Sequence, residues 1–468
     1  MLKPSALLGL LIPLASCAVG PDYHAPPLPD ASTGPFVTTA PGTISGAEPR
    51  QQWWHLYRSP DLDALIEQAF AANTDLRLAS ANMQAAEAVL SEARTALVPA
   101  TVVQGGATYG KNQQPLFLPK NELTYQGGLQ ISYQLDLFGR VRRSIEAARA
   151  DAAAQVYARD AVMVSLAAAV TDAYVSACTA GEAIEVVQSS IGLATDSSRM
   201  VEAQERAGSA SNLDLDRSQV ALERARASLA PLDGQRRSAL FELAALLGKP
   251  PAAVPEAAAR CVRAPLPQDA IPIGDGASLL KRRPDVAESE RRLAAATARI
   301  GVASADLWPS ITLGGSVSRV GGKDVTASQG LSYGVGPALT FNFPNISAAR
   351  ARVREANAAT QASLAQFDGA VLNALKETEQ ALTTYATEQQ HHHDLSAAEQ
   401  RADSAYHRAE LLYRAGSIAQ LDLIVTENEL LDARLARIQS EQQLSSDRVQ
   451  LFCALGGGWG RDVLTTAN

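Results

Sequence analysis

Covalent chemistry has one clear address in this chain of 468 residues. Residues 1–17 read MLKPSALLGLLIPLASC: one lysine, a short apolar run interrupted by Pro13, then Leu14-Ala15-Ser16-Cys17. The run is too short for a spanning helix and reads as a secretory signal over residues 1–16. Leu-Ala-Ser-Cys matches the bacterial lipobox, in which the cysteine thiol is acylated and becomes the first residue of the mature chain. The competing reading is an incidental cysteine after an ordinary signal. Ala18 follows in place of an aspartate, which points to outer-membrane sorting.

Other reactive residue types do not assemble into sites. His391-His392-His393 would sit about 100° apart on a helix, so three in a row do not converge on one metal ion. The remaining cysteines, Cys178, Cys261 and Cys453, are far apart with no CxxC pair, which argues against a zinc site and leaves one long-range disulfide open. With four methionines there is no Met-based copper pathway. No nucleophile elbow, Walker motif or carboxylate pair is present, so neither an enzyme nor a cofactor beyond the Cys17 lipid is expected. A net charge of −8 argues against a nucleic-acid partner, because phosphate binding needs clustered Lys and Arg.

Proline marks out the larger elements. None occurs between Pro119 and Pro231 or after Pro344. Because proline is strongly disfavoured inside a helix, these gaps permit long helices. Residues 21–60 and 250–272 are proline-rich and read as an extended tail and a linker. The halves on either side of the linker are related. At an offset of 210, Asp75, Leu97 and Pro99 match Asp285, Leu307 and Pro309; at 208, Ala207-Gly208-Ser209 matches Ala415-Gly416-Ser417, and Leu213-Asp214-Leu215 matches Leu421-Asp422-Leu423. The expected order is a lipid anchor and tail (17–60), a first repeat (61–248), a linker (249–276), a second repeat (277–456) and a tail (457–468). Each repeat begins with a helix ending at a proline, 61–98 and 277–308. Two strands follow, then a long helical hairpin, 139–247 and 346–455.

Strands are expected at 100–110, 124–137, 310–320 and 330–343. From Leu129 to Leu137 every odd position is apolar, and Leu331 to Phe343 alternates likewise, with Gly, Ser, Thr and Asn between. Such lengths cross the hydrocarbon of an outer membrane, and Tyr125, Tyr133, Trp308, Tyr333, Phe341 and Phe343 suit an aromatic girdle. An ordinary soluble sheet is the alternative; Pro337, lacking an amide, fits neither smoothly. No run of some 18 apolar residues follows the signal, so no spanning helix is expected. Four strands cannot close around a pore, and an open edge in lipid leaves backbone groups unpaired at several kcal/mol each. Three copies give twelve strands, enough for a lumen. The long helices, about 100 Å each at 1.5 Å per residue, would continue as a helical tube. Ile424, Leu431 and Ile438 recur at the coiled-coil interval of seven. The fold class expected is mainly α with a membrane β portion, built from a duplicated unit.

In this respect the sequence resembles the TolC/OprM-type outer-membrane factors, in their lipoprotein branch. The residues carrying the resemblance are Cys17 with Val19-Gly20-Pro21-Asp22-Tyr23, Trp53-Trp54, Leu135-Asp136-Leu137-Phe138-Gly139-Arg140, Arg283-Pro284-Asp285, Leu307-Trp308-Pro309, both Ala-Gly-Ser turns and Leu455-Gly456-Gly457-Gly458-Trp459. The resemblance implies a lipid-anchored homotrimeric efflux channel of the bacterial outer membrane. It would project into the periplasm, work with a periplasmic adaptor and an inner-membrane RND-type pump, and open by an iris-like movement. A mixed belt at residues 50–75, 249–280 and 452–468 is also implied. By the same resemblance Gly208, Ser209, Gly416 and Ser417 form adaptor-docking tip turns, and Asp214, Asp422 and Tyr413 belong to a gate. Each aspartate has an alternative as a helix cap. Ile418 and Val425 stand where the enteric prototype has an arginine and a second aspartate. Pro344-Asn345-Ile346-Ser347-Ala348 replaces its glycine-rich turn. Type I protein secretion and a non-conducting periplasm-spanning lipoprotein remain as alternative functions.

Overall fold

A computed structural model describes residues 18–29, 32–38, 44–49, 52–111, 121–265, 270–323, 325, 330–341 and 343–457. In chain order the elements are β1 (Ile44–Ser45), α1 (Pro60–Ala72), α2 (Thr74–Thr95), β2 (Ala100–Gly110), β3 (Glu122–Leu135), α3 (Arg140–Arg206), α4 (Asn212–Ala227), α5 (Leu229–Leu246) and α6 (Glu256–Arg260). The second half adds β4 (Ile271–Pro272), α7 (Gly276–Arg282), α8 (Pro284–Ala305), β5 (Ser310–Gly322), β6 (Leu331–Thr340), α9 (Ile346–Arg414) and α10 (Gln420–Ala454). The chain divides into two units: one of residues 1–27, 81–157 and 288–370, the other of 28–80, 158–287 and 371–468.

The first unit holds an antiparallel sheet of order β2-β3-β5-β6. Its register sorts the side chains by face. Val103, Leu129, Val317 and Tyr333 form one cross-strand row, and Thr101, Ile131, Gly315 and Val335 the next. The opposite face carries Gln104, Gly128, Ser318 and Ser332, then Val102, Gln130, Ser316 and Gly334. The apolar face is uncovered: Val103 is 82% exposed, Tyr333 82% and Val335 84%. Pro337 lies on β6, at the edge of the sheet, where a missing ladder amide is tolerated.

Both long strands stop short of expectation. β3 ends at Leu135 because the Asp136 carboxylate turns to the next helix, accepting from the amides of Val141 (2.9 Å) and Arg142 (3.1 Å). β6 ends at Thr340, whose partner Ser310 follows Pro309, a residue with no amide to extend the ladder.

Three expected continuous helices are broken. Asn73 interrupts 61–98: its Oδ1 accepts from the amides of Asp75 (2.9 Å) and Leu76 (3.0 Å), an N-cap for α2. Arg283, driven out of the α region by Pro284, divides 277–308. Ser228 separates α4 from α5, three residues before Pro231. The first legs are continuous, 67 residues in α3 and 69 in α9.

In the second unit Trp53, fully buried, stacks on Phe452 with ring centroids 4.7 Å apart, among Leu62, Ile66, Leu243, Leu279 and Leu455. β1 pairs in parallel with β4 beside this core, Ile44 opposite Ile271. One stretch of α3 is apolar enough by composition to cross a membrane, contrary to expectation, and two-thirds of it is buried. Val170 and Ala177 there are fully buried, so this apolar face is spent on core packing. A disulfide joins Cys178 of α3 to Cys261 in the linker, 83 residues on. Gly181 makes room for it: a Cβ there would lie 2.7 Å from the Cys261 carbonyl oxygen.

Candidate functional site: the two hairpin tips

Both hairpins turn by one mechanism. After α3, Gly208 adopts φ +75°, its amide donates to the Glu205 carbonyl (2.8 Å) and the Ser209 amide to that of Gln204 (2.8 Å). After α9, Gly416 adopts φ +71°, with Gly416 bonded to Tyr413 (2.9 Å) and Ser417 to Leu412 (2.8 Å). This is the Schellman ending, which needs a left-handed residue one place past the helix. A Cβ on either glycine would meet nothing within 4 Å, so backbone conformation alone selects glycine.

The aspartates that follow sit at the third position of the return helices. Asp214 completes a capping box: its carboxylate accepts from the Ser211 amide (3.2 Å) and hydroxyl (2.7 Å), while the Ser211 hydroxyl accepts from the Asp214 amide (3.2 Å). These bonds with Ser211 hold its pKa below the usual carboxylate value. Asp422 has only half of that arrangement. Its carboxylate accepts from the Ala419 amide (3.2 Å), and alanine offers no side-chain acceptor in return. Asp422 is exposed and keeps spare acceptor capacity.

Tyr413 brings the two tips together within one chain, its hydroxyl donating to Gln204 Oε1 at 3.2 Å. Sequence reasoning missed Gln204, although its place four residues before Gly208 put it on the tip. Also missed was Glu427, five residues beyond Asp422 on α10, whose pKa burial raises to about 7. Leu213 and Leu421, the equivalent leucines of the two repeats, are 56% and 42% exposed. Ile418 is half-buried and Val425 exposed. Cys17 lies outside the described residues, as do Gly458 and Trp459. His391 points to Glu388 (3.3 Å), and no group of three or more metal-ligating side chains occurs among the described residues.

Two other sequence motifs are structural. Buried Arg283 holds Asp285 (2.6 Å), Glu377 (2.8 Å) and the Ala454 carbonyl (3.0 Å), fastening the start of α8 to α9 and the end of α10. Asp136 of the Leu-Asp-Leu-Phe-Gly-Arg motif caps α3 as described above.

Comparison with known proteins agrees with this geometry. The family described as "Outer membrane efflux protein" matches residues 65–249 and 277–457. The chain belongs to this family, whose members are outer-membrane efflux channels and not enzymes. A pyoverdine export outer membrane protein, OpmQ of Pseudomonas putida, is 30% identical over 98% of each chain. The solved outer-membrane channel OprN superimposes with a TM-score of 0.85 at 33% identity, over 95% of this chain and all of that one. The open state of the Neisseria gonorrhoeae MtrE channel gives 0.80 at 26% identity, over 95% and 99%.

Proposed function

We propose that three copies close a twelve-stranded barrel in the outer membrane and form the exit duct of a tripartite pump for small compounds. The two-faced sheet carries this reading. One face is apolar and uncovered, the other is mostly Gln, Ser and Gly with Val102 among them, and β2 and β6 are left as open edges. In lipid those edges must be paired, and pairing β6 of one copy with β2 of the next satisfies them while placing the polar face in a lumen. Aromatic residues mark both ends of the strands: Tyr109 and Tyr125 at one, Phe138 stacked on Trp308 (5.2 Å) at the other. Cys17 carries the lipid anchor.

The tip turns with Gly208, Ser209, Gly416 and Ser417, flanked by exposed Leu213 and Leu421, form the adaptor-docking surface. Adaptor and inner-membrane pump favour an open arrangement of the hairpins, a population shift between two states. Tyr413 and Asp422 hold the closed one: Tyr413 by its bond to Gln204, Asp422 by accepting from a neighbouring copy through the acceptor capacity that Ala419 leaves unused, while three such carboxylates around the aperture favour cations there. Asp214, already engaged by Ser211, has the lesser part. Small-molecule export is favoured over protein secretion by the pyoverdine export role of the OpmQ relative.

Purified protein in planar bilayers should show low conductance that rises in Tyr413→Phe and Asp422→Ala. Unchanged conductance in both variants removes the gate assignment; no conductance under any condition favours a non-conducting lipoprotein.

A further inference from the structure

The segment just after the lipidation motif is not a free tether. The Val19 amide donates to the Phe138 carbonyl (3.1 Å), at the junction between β3 and α3. Gly20, at φ +96°, lies against Gly301 of α8 so closely that a Cβ on Gly20 would come within 2.5 Å of the Gly301 Cα. A Cβ on Gly301 would come within 2.7 Å of Arg143 Cγ and 2.9 Å of the Val19 carbonyl oxygen. A Cβ on Gly139 would come within 2.6 Å of the Ala18 Cβ. Two glycines, Gly139 and Gly301, thus line a seat that any side chain would fill, and Gly20 of the segment fits it only because it too lacks a Cβ.

Charge and stacking close it. Arg143, on α3 and 6% exposed, donates to Asp22 (2.6 Å) and to the Gly20 carbonyl (3.4 Å), with Glu146 as its other partner (2.8 Å). The Tyr23 hydroxyl donates to Glu290 (2.9 Å), the Arg291 guanidinium lies 5.7 Å from the Tyr23 ring centroid, and the ring packs on Ala150, Ala294 and Ala295.

We propose that residues 18–23 are a built-in docking peptide and the α3–α8 groove its receptor, which together hold the acylated end beside the strand-to-helix junction. The inference rests on reading the sheet as the membrane portion. Its purpose follows from reach. Ser32 is the next buried residue among those described, so an acylated end released as far as Ser32 could swing over about 50 Å at 3.3–3.6 Å per residue. Docking confines the acyl chains to the rim of the protein's own barrel and bolts α3 of the first repeat to α8 of the second. The groove is specific for a Gly-Pro-Asp-Tyr backbone because it admits no Cβ at Gly20 and presents a cation to Asp22.

The test uses the full-length acylated protein in lipid nanodiscs, with a nitroxide on His24→Cys in a Cys453→Ser background. An immobilised electron paramagnetic resonance spectrum is expected, losing its immobilised component in Gly301→Leu and in Arg143→Ala. Gly301 lies within α8, so Tyr23→Ala, which alters only the peptide, is the variant that separates loss of the dock from damage to the helix, and it should also mobilise the label. A mobile spectrum in the parent, or an immobilised one in all three variants, overturns the proposal. Label motion is read without reference to conductance, so failure of the dock and failure of the channel reading are distinguishable.

Discussion

Arg437 of α10 is the junction of three helices, and removing its charge should be costly in a pH-dependent way. Its Nη2 lies 2.7 Å from Glu182 of α3, its Nε 2.7 Å from Glu399 of α9, and its Nη1 bonds Glu441 of α10. Side-chain exposure is 18% for Arg437 and Glu182, 24% for Glu399 and 9% for Glu441. Arg437→Met keeps the aliphatic stem and strips the cation from three mostly buried carboxylates. Breaking a buried pair from one side typically destabilises by about 3–5 kcal/mol. The low end applies here, because Arg434 remains 3.8 Å from Glu399. Burial and Glu182 already raise the Glu441 pKa with Arg437 present, so losing the cation raises it further. A folded-state carboxyl pKa above its unfolded value makes the folded state the stronger proton binder, so stability rises as pH falls toward the unfolded value near 4.3. The deficit of Arg437→Met should therefore be largest at pH 8 and shrink by pH 5. Adding Glu441→Gln should recover part of it at pH 8. Thermal unfolding followed by far-UV circular dichroism at pH 5, 6.5 and 8 measures this. A deficit equal at all three pH values would assign the effect to lost packing and refute the electrostatic account.

Glu427 predicts a gain. Its pKa of about 7 against an unfolded value near 4.3 penalises folding above that window, by about 1–2 kcal/mol once solvent screening is allowed for. Glu427→Gln should raise the melting temperature at pH 8 and leave it unchanged at pH 4, in the same dichroism assay. Replacing Cys178 and Cys261 with serine should lower stability by about 2–5 kcal/mol, by freeing a long loop in the unfolded chain. Reductant should reproduce that loss in the parent and have no effect on the variant, as read by melting with and without dithiothreitol.

The parts of this fold legible in sequence were those that nearest neighbours determine. Alternation from Leu129 onward gave β3 and its two faces, because side-chain direction in a strand depends only on position parity. The glycine turns at Gly208 and Gly416 were legible for the same local reason. Breaks at Asn73 and Ser228 were harder: Asn73 also donates to the Leu246 carbonyl (3.0 Å), a partner 173 residues away that no local pattern reveals. Arg437 and Glu182 are 255 residues apart, and the two disulfide cysteines meet only once the linker folds back on α3. The Val-Gly-Pro-Asp-Tyr segment was visible as a motif, yet its seat is made by Gly139, Arg143 and Gly301, whose convergence is tertiary.

Duplication gives the hairpins one backbone and lets their side chains differ in a way that bears on any gate. Both tips end in the same turn and place an aspartate at the third helical position. In the first, Ser211 engages one oxygen of the Asp214 carboxylate, Oδ2, twice, with its hydroxyl and amide both donating to it. In the second, Ala419 can engage Asp422 only through its amide. An aspartate satisfied within its own helix gains little from a neighbouring subunit, whereas one with free lone pairs and an exposed position can accept from a partner or repel a copy of itself. On the proposed gate reading, the difference between Ser211 and Ala419 therefore gives Asp214 a structural task and leaves the charge of Asp422 available for work between subunits.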